Sequence, residues 1–387
     1  MISATPKTPA PVEPEESANE RLDPQDLDLE SSAELPFAFQ PALRWSPLII
    51  SFPHVGLEWP VDEPRPRPPV NFARNADLEV DRLYPDAAAL GAATVRARYS
   101  RLLIDLNRAA DDVSAALVPD HPAPRPRQPP WATTGGSRAP AVQNRGLIWR
   151  TAVGNISILN GPLPYAELLD RLRRYYDPYH RALELLLARR RNRFGYAVLL
   201  EAHSMPGSIS GDLVLGTFEG GACSPELEAR ALAALSAPGP QCVPLTVRLN
   251  DPYRGELVRK FGRPEHDIHA LQLEVNRALY LDEVSLVLRP EIPGPTATAS
   301  TSATMSSEIR PGSELRQQRP GSIPAPAPLD LLHRVKSLVT ALAAVSPGAA
   351  ALATSNAAQP ATSPALIPPT TTAAHFGEPL CPLRRRG

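Results

Sequence analysis

Residues 48–54 read LIISFPH, a mostly apolar run that a proline ends and a histidine follows. A short run of this kind predicts a buried strand that leads into a loop. The pattern recurs in Leu102-Leu103-Ile104 and in AVLL at residues 197–200. Each run is followed by polar residues, which are His54 after the first, Asp105, Asn107 and Arg108 after the second, and Glu201 and His203 after the third.

Helical patterns separate these apolar runs. Residues 77–90 place leucine and valine on a loose helical stripe, and residues 165–191 carry two apolar sets that Pro178 interrupts, which should kink or split that helix. Residues 225–235 predict a further helix with Ser224 as its N-cap. Strands that alternate with helices predict an α/β fold with a mostly parallel central sheet. In such folds, functional sites form at the carboxyl ends of the strands.

The overall composition narrows the class of protein. The chain has 387 residues, of which 40 are Lys or Arg and 41 are Asp or Glu. This balance argues against a dedicated nucleic-acid-binding protein, which usually carries a basic surplus. Three cysteines with no CxxC pair cannot form a closed disulfide framework, and no apolar run reaches the ~18 residues of a membrane span. We therefore expect a cytoplasmic protein without a membrane segment.

Proline is unusually abundant, at 47 of 387 residues, against roughly 5% in an average protein. Part of the chain should therefore lack a packed core. From the low-complexity stretches we predict a disordered arm over residues 1–40, a folded domain over 41–290 with a long loop at 119–145, a disordered linker over 291–327, a helix over 328–345 that packs on the domain, and a disordered tail over 346–387.

Two histidines that follow predicted strands, His54 and His203, are candidate metal ligands. A histidine at a strand end can point its ring into a crevice, and two histidines with one carboxylate form a common catalytic zinc site. The alternative for each is a hydrogen-bonded histidine of the core. Spacing leaves the third ligand open among Glu58, Asp77 and Asp81.

Three further polar residues each allow a functional and a structural interpretation. Glu274, in a predicted strand, would act as a general base or would form a buried salt bridge with Arg277 or another arginine. Asn107 and Arg108 would bind a carboxylate, since a guanidinium presents a bidentate fork. Their alternative role is a hydrogen-bond network within the loop.

Nine motifs of this chain, taken in order, resemble those of the N-formylglutamate amidohydrolases. They are SFPHVG, DLEVDRLY, RYSRLLIDLNR, NRGLIWR, YYDPYH, LLEAHSMPG, GDLVLGTFEGGACSPEL, LNDPYRGE and HALQLEVNRALYLDE, within residues 48–285 or so. The pattern is also distantly similar to zinc carboxypeptidases. The resemblance implies a single three-layer, zinc-peptidase-like α/β domain that hydrolyses the N-acyl amide of an acidic amino acid with one Zn²⁺ per chain. It further implies a role in histidine degradation.

The resemblance also implies a role for each candidate residue, and it favours Asp77 over Glu58 and Asp81 as the third metal ligand. A zinc-activated water would lose its proton to the general base, and arginine would fix the α-carboxylate of the substrate. The implied metal ligands are His54, Asp77 and His203, the general base is Glu274, and the substrate-binding residues are Asn107, Arg108, Arg150 and His180.

Two features bear on the substrate. Family members usually have Gly-Gly where this chain has Gly255 followed by Glu256, and the loop at 119–145 is rich in Pro and Arg. Both would change the substrate preference rather than the hydrolytic chemistry. The alternatives are an amidohydrolase of another N-acyl amino acid or small peptide, and an inactive homologue that serves as a binding module. The expected partner is a small-molecule N-acyl amino acid, with no nucleic acid and no membrane; the oligomeric state is left open.

Overall fold

The computed structural model describes residues 20–122, 145–293 and 327–344, and no side chain for Glu256 or Ala327. Most of the loop, linker, arm and tail segments predicted above thus lie outside the described residues. The strands in the described part, in chain order, are β1 (Phe37–Gln40), β2 (Leu48–Phe52), β3 (Ala93–Ala97), β4 (Thr151–Ala152), β5 (Ile156–Ser157), β6 (Ala197–Met205), β7 (Leu213–Gly216), β8 (Val247–Leu249), β9 (Ile268–Asn276), β10 (Leu281–Asp282) and β11 (Val287–Leu288).

Seven of these strands form the central sheet, in the order β1-β3-β2-β6-β9-β7-β8. Strands β3, β2, β6 and β9 run parallel to one another. At the edges, β1 is antiparallel to β3, and β7 is antiparallel to β9. The predicted α/β fold with a mostly parallel sheet is therefore confirmed.

Helices cover both faces of the sheet. They are α1 (Tyr165–Arg171), α2 (Asp177–Phe194), α3 (Pro225–Ser236), α4 (Glu256–Phe261) and α5 (Ala327–Ala343). Leu48, Ile50 and Phe52 of β2 pack on the side of α3 and α5, whereas Ile49 packs on the side of α2. A strand between two helical layers buries both faces, which is why the sequence of β2 is a continuous apolar run. None of the described helices is long and apolar enough to cross a membrane.

Helices α3 and α5 pack against each other close to where the sequence predicts helices. The hydroxyl of Ser224 accepts a hydrogen bond from the Leu227 N–H at 3.3 Å, so this residue is the N-cap of α3. Along α5, Leu331, Val335 and Leu338 are fully buried. Each such side chain contributes about 1.5–3 kcal/mol of burial energy, so α5 is held firmly against the layer beneath it.

Residues 20–40, which we predicted to be disordered, belong to the fold. Glu20 forms a fully buried ion pair with Arg190 of α2, with hydrogen bonds of 2.5 and 2.7 Å. Strand β1 pairs with β3, and Leu27 and Phe37 lie in the core. The prediction is wrong here because isolated apolar residues among Pro, Asp and Glu show no periodicity, while their partners are far away in the sequence.

The apolar run Leu102–Ile104 is a turn and not a strand, which corrects a second prediction. The N–H of Leu103 donates to the Ser100 carbonyl at 2.9 Å, and the whole run is buried. The strand of this region is β3, whose sequence ATVRA contains a charged residue. That residue, Arg96, lies over the ring of Phe52 at 5.5 Å. A short apolar run thus predicts burial reliably and conformation poorly.

Two predicted helices differ from expectation in instructive ways. Turns and a short 3₁₀ helix (Val80–Leu83) replace the helix over residues 77–90, because Pro85 disfavours a helical conformation in the residue before it. The helix over 165–191 forms in three continuous parts, with one π-helical segment (Leu172–Tyr176) between α1 and α2. Pro178 comes just after this segment, in the first turn of α2, and its missing N–H cannot take part in the regular helical hydrogen-bond pattern.

Candidate functional site

Three side chains that can bind a metal converge at the carboxyl edge of the sheet: His54, Asp77 and His203. His54 lies just beyond β2, and His203 lies near the end of the neighbouring strand β6. A loop brings Asp77 to them, with its N–H donating to the His54 carbonyl at 2.9 Å. One ligand atom from each residue lies within 4.8 Å of the other two, and all three residues are buried.

The two nitrogens of each histidine ring face different surroundings. Both Nδ1 atoms face Asp77 Oδ2, at 3.4 Å from His54 and 2.9 Å from His203. His54 Nε2 lies 2.7 Å from Asp105 Oδ1. His203 Nε2 lies 3.4 Å from Glu201 Oε2 and 3.0 Å from Asn107 Nδ2. At His54, the Asp105 carboxylate that accepts the Nε2 proton fixes the ring and leaves the Nδ1 lone pair for a metal, as is usual for histidine ligands.

The cluster favours positive charge. Burial opposes the charged form of His203, but hydrogen bonds to Asp77 and Glu201 outweigh it and raise the pKa of His203 to about 10. Burial also opposes the ionised form of Asp77, yet the hydrogen bonds and charges of His203 and His54 hold the pKa of Asp77 well below its usual range. Surroundings that bind a proton this tightly also attract a metal cation.

The residues fit a divalent metal ion. Two imidazoles and one carboxylate are a ligand set typical of catalytic zinc. The buried Nδ1 of His54 has no hydrogen-bond partner among the described residues. The other two carboxylates considered from the sequence lie elsewhere, since Glu58 pairs with Arg98 and Asp81 pairs with Arg96. Asp77 is therefore the carboxylate of the cluster.

Glu274 faces the same cleft from β9, directly across from His203 in the strand register. Gln272 Nε2 donates to Glu274 Oε1 at 2.9 Å. Burial raises the pKa of Glu274 to about 7, against the nearby positive charges. The alternative salt bridge does not form, because Arg277 instead contacts Ser204 Oγ at 3.2 Å. A carboxyl group with a pKa near 7 can both accept and donate a proton at neutral pH.

A cleft of about 400 Å³ opens above the cluster. Asp77 and Glu274 are the acidic residues that line the described part of the cleft. The basic residues outnumber them, and six of the lining residues are arginines: Arg74, Arg101, Arg108, Arg145, Arg254 and Arg277. This excess of positive charge suits a small anionic ligand.

The two residues predicted to bind a carboxylate both line the cleft, but their surroundings differ. Arg108 Nε lies 4.0 Å from Asp105 Oδ2 and has no hydrogen-bond partner among the described residues. Asn107 has partners at both polar atoms, with Nδ2 at 3.0 Å from His203 Nε2 and Oδ1 accepting from the Leu257 N–H at 3.1 Å. Arg108 is therefore free to bind a ligand, whereas Asn107 ties its loop to His203 and to helix α4.

Arg150 and His180 do not reach the cleft, so the structure gives no support to a substrate contact for either. Arg150 is exposed, whereas Leu147, Ile148 and Trp149 before it are buried. His180 is buried behind the loop, with Nε2 donating to the Leu106 carbonyl at 3.1 Å and Nδ1 at 2.7 Å from Lys260 Nζ. Burial, reinforced by Lys260, holds the pKa of His180 well below its usual value.

Prediction from the sequence missed several residues of the site. Asp105 accepts hydrogen bonds from Trp149 Nε1 at 3.0 Å and from Arg101 at 2.7 Å, in addition to its contact with His54. Asp105 and Glu201 both lie in or next to apolar runs, and burial of an acid is unfavourable unless it is paired. An acidic residue in such a run is therefore a sequence signal that could have identified both residues. Arg145 lies in the same motif as Arg150, and the sequence alone does not show which of the two faces inward.

Comparison with known proteins extends these observations. The profile of the family described as N-formylglutamate amidohydrolase matches residues 46–281. An N-formylglutamate deformylase of Pseudomonas aeruginosa is 34% identical over an alignment of 246 residues that covers 61% of this chain and 83% of that protein. An N-formylglutamate deformylase of Pseudomonas putida is 33% identical over 267 residues, covering 65% and 88% of the two chains.

A solved structure shows a similar fold. The crystal structure of N-formylglutamate amidohydrolase from Ralstonia eutropha JMP134 aligns with a TM-score of 0.58 and 25% identity. The alignment covers 84% of this chain and 100% of that one. The family match spans both histidines, Asp77 and Glu274, and it leaves out β1 and α5 at the two ends.

Proposed function

The chain belongs to the N-formylglutamate amidohydrolase family, and we propose that it is a metal-dependent enzyme that hydrolyses the formamide bond of N-formyl-L-glutamate. In this reaction the oxygen of water adds to the formyl carbon, the C–N bond breaks, and formate and L-glutamate leave. We place the enzyme in histidine degradation, as the resemblance implies, and in the cytoplasm, as expected from the sequence.

The observation that carries the proposal is the buried cluster of His54, Asp77 and His203 at the base of a cleft rich in arginine. These three residues would hold one zinc ion, which would supply Lewis-acid activation of the formyl carbonyl and of water. Two histidines and a carboxylate around one metal, with a separate glutamate nearby, are also what we expect of a zinc-peptidase-like fold.

Glu274 would move the proton. Its Oε1 is occupied by the Gln272 amide, so Oε2 is the atom we assign to the attacking water. The water proton passes to Oε2 as the oxygen adds to the formyl carbon, and Oε2 returns a proton to the amide nitrogen as the C–N bond breaks. The pKa of about 7 supports both steps, because neither protonation state of Glu274 is strongly favoured.

Arg108 would bind the α-carboxylate of the substrate. Its guanidinium lines the cleft, and its Nε has no hydrogen-bond partner among the described residues. Asn107 would hold the loop that carries Arg108 in a fixed position relative to the metal ligands, through its contact with His203. Binding of the carboxylate would place the formyl carbon over the cluster, which turns binding energy into orientation.

The test is a formate-release assay on the full chain with bound metal, using N-formyl-L-glutamate and a panel of other N-formyl and N-acetyl amino acids. We expect about one equivalent of zinc per chain, formate release from N-formylglutamate, and loss of both metal and activity in His203→Ala. Chelation should abolish the activity and zinc should restore it.

Other outcomes would separate the alternatives. Activity on a different N-acyl amino acid would keep the chemistry and change the substrate. A protein that binds no zinc even when zinc is supplied, and that hydrolyses nothing in the panel, would be the inactive binding module.

A further inference from the structure

Four of the six arginines in the cleft already have partners in the protein. These pairs are Arg74 with the carbonyl oxygens of Glu283 and Val284, Arg101 with Asp105, Arg254 with Glu219, and Arg277 with Ser204 and Asp77. Arg108 and Arg145 differ from the other four. Arg108 comes no closer than 4.0 Å to Asp105, and Arg145, whose guanidinium lies over the Trp149 ring, forms no ion pair with an acid of the described residues.

Arg145 is held in place by an aromatic ring. Its guanidinium carbon lies 4.8 Å from the centre of the Trp149 ring, and that of Arg101 lies 4.6 Å from the same ring. Trp149 is itself anchored by its hydrogen bond to Asp105 at 3.0 Å. A guanidinium packed on a ring keeps its N–H groups available for a planar, bidentate partner such as a carboxylate.

The charges in this part of the cleft do not balance. Arg101 forms an ion pair with Asp105, Arg108 lies 4.0 Å from the same carboxylate, and Arg145 shares the Trp149 ring with Arg101. Burial together with the charge of Arg101 lowers the pKa of Arg145. A ligand with two carboxylates would supply a negative charge to both Arg108 and Arg145.

We infer that Arg145 binds the side-chain carboxylate of the substrate and thereby makes the enzyme selective for N-formylglutamate over its uncharged analogues; this inference rests on the proposed function. Arg108 adjoins Asn107, which contacts His203, so Arg108 is the arginine closer to the metal ligands. The α-carboxylate is likewise the one closer to the scissile nitrogen. The side-chain carboxylate then extends towards Arg145, which lies over the Trp149 ring.

The experiment compares Arg145→Gln with Arg150→Gln on two substrates. Arg150 is a matched control because it lies in the same motif and is exposed outside the cleft. N-formyl-L-glutamine has the shape of N-formylglutamate without its side-chain charge. We expect Arg145→Gln to lower kcat/KM for N-formylglutamate roughly 10- to 100-fold, the usual loss for a charged hydrogen bond. Its activity on N-formylglutamine should stay within about 3-fold of the wild type, as should both activities of Arg150→Gln.

A binding measurement separates this inference from the proposed reaction. Calorimetric titration of the metal-loaded Glu274→Gln protein with N-formylglutamate should give a Kd that Arg145→Gln weakens by a similar factor. If the wild type releases formate but Arg145→Gln lowers kcat/KM equally for both substrates, Arg145 does not bind the side-chain carboxylate, and the proposed reaction still holds. If the wild type releases no formate while binding of N-formylglutamate still depends on Arg145, the proposed reaction fails and the binding site stands.

Discussion

The two sides of the cleft are built differently. On the metal side, His54 and His203 are held by Asp105 and Glu201, and Glu274 is held by Gln272. On the arginine side, Arg108 and Arg145 leave their charges without a close partner among the described residues. In the proposed reaction, the groups assigned to the chemistry are thus fixed in advance, whereas the groups assigned to substrate binding keep their hydrogen-bonding capacity for it. Changes on the first side should therefore lower kcat or metal affinity, and changes on the second side should raise KM.

The largest effect is expected from Glu274→Gln. Glutamine keeps the shape of the side chain and its contact with Gln272, but it cannot accept the proton of water. We expect kcat to fall roughly 10²- to 10⁴-fold, with KM and zinc content close to those of the wild type, measured by formate release and elemental analysis. Glu58→Gln is the control, since Glu58 pairs with Arg98 away from the cluster.

The pH profile gives a second readout for Glu274. Only the ionised form of Glu274 is a base, so kcat/KM of the wild type should rise with pH up to about 7, the pKa of Glu274. A cation bound beside Glu274 would lower this pKa and move the rise to a lower pH. Glu274→Gln should lack this rise. A variant that keeps the wild-type rate and profile would show that another group moves the proton.

A smaller effect is expected from Asp105→Asn. Loss of the carboxylate that holds His54 Nε2 at 2.7 Å should reduce zinc affinity roughly 10- to 100-fold, the usual effect of a partner of a histidine ligand. Competition with a chelator measures this affinity. Glu201→Gln, at the longer contact of 3.4 Å with His203, should reduce the affinity less. Equal affinities for the wild type and Asp105→Asn would show that these carboxylates do not orient the ligands.

The smallest effect is expected from Tyr176→Phe, which alters the support of the Arg108 backbone. The hydroxyl of Tyr176 donates to the Arg108 carbonyl at 2.7 Å. Removing one such bond in Tyr176→Phe should raise KM roughly 2- to 10-fold without changing kcat or zinc content. Tyr179→Phe is the matched control, because this hydroxyl lies 2.8 Å from the Ser51 hydroxyl, away from the cleft. A KM that changes equally in both variants would indicate a general loss of stability.

The sequence predicts elements whose signals are local and misses those whose signals are distant. Helix α3 has its N-cap at Ser224, and β2 has an unbroken apolar run, so both are recognised from their own residues. Strand β1 is recognised only through its pairing with β3. The charged Arg96 gives β3 a sequence pattern unlike that of a buried strand. Its guanidinium is accommodated because it lies over the ring of Phe52 in the neighbouring strand.

The same rule holds for the site. His54, Asp77, His203 and Glu274 follow from ordered motifs, and the structure brings all four to one cleft. The choice between Arg145 and Arg150 depends on which way the segment around Trp149 turns. That direction is set by the hydrogen bond from Trp149 to Asp105, which lies 44 positions away in the sequence. No pattern of neighbouring residues contains this information.

The buried pair of Glu20 and Arg190 shows that the folded domain extends beyond the residues matched by the family. The family match begins at residue 46, yet a chain cut there would leave the guanidinium of Arg190 in the interior without its counter-charge. Breaking such a pair by removing one partner usually costs about 3–5 kcal/mol, a large share of the stability of a typical domain. Homology therefore outlines the proposed catalytic site, while the stable protein extends at least to Glu20, some two dozen residues before the family match.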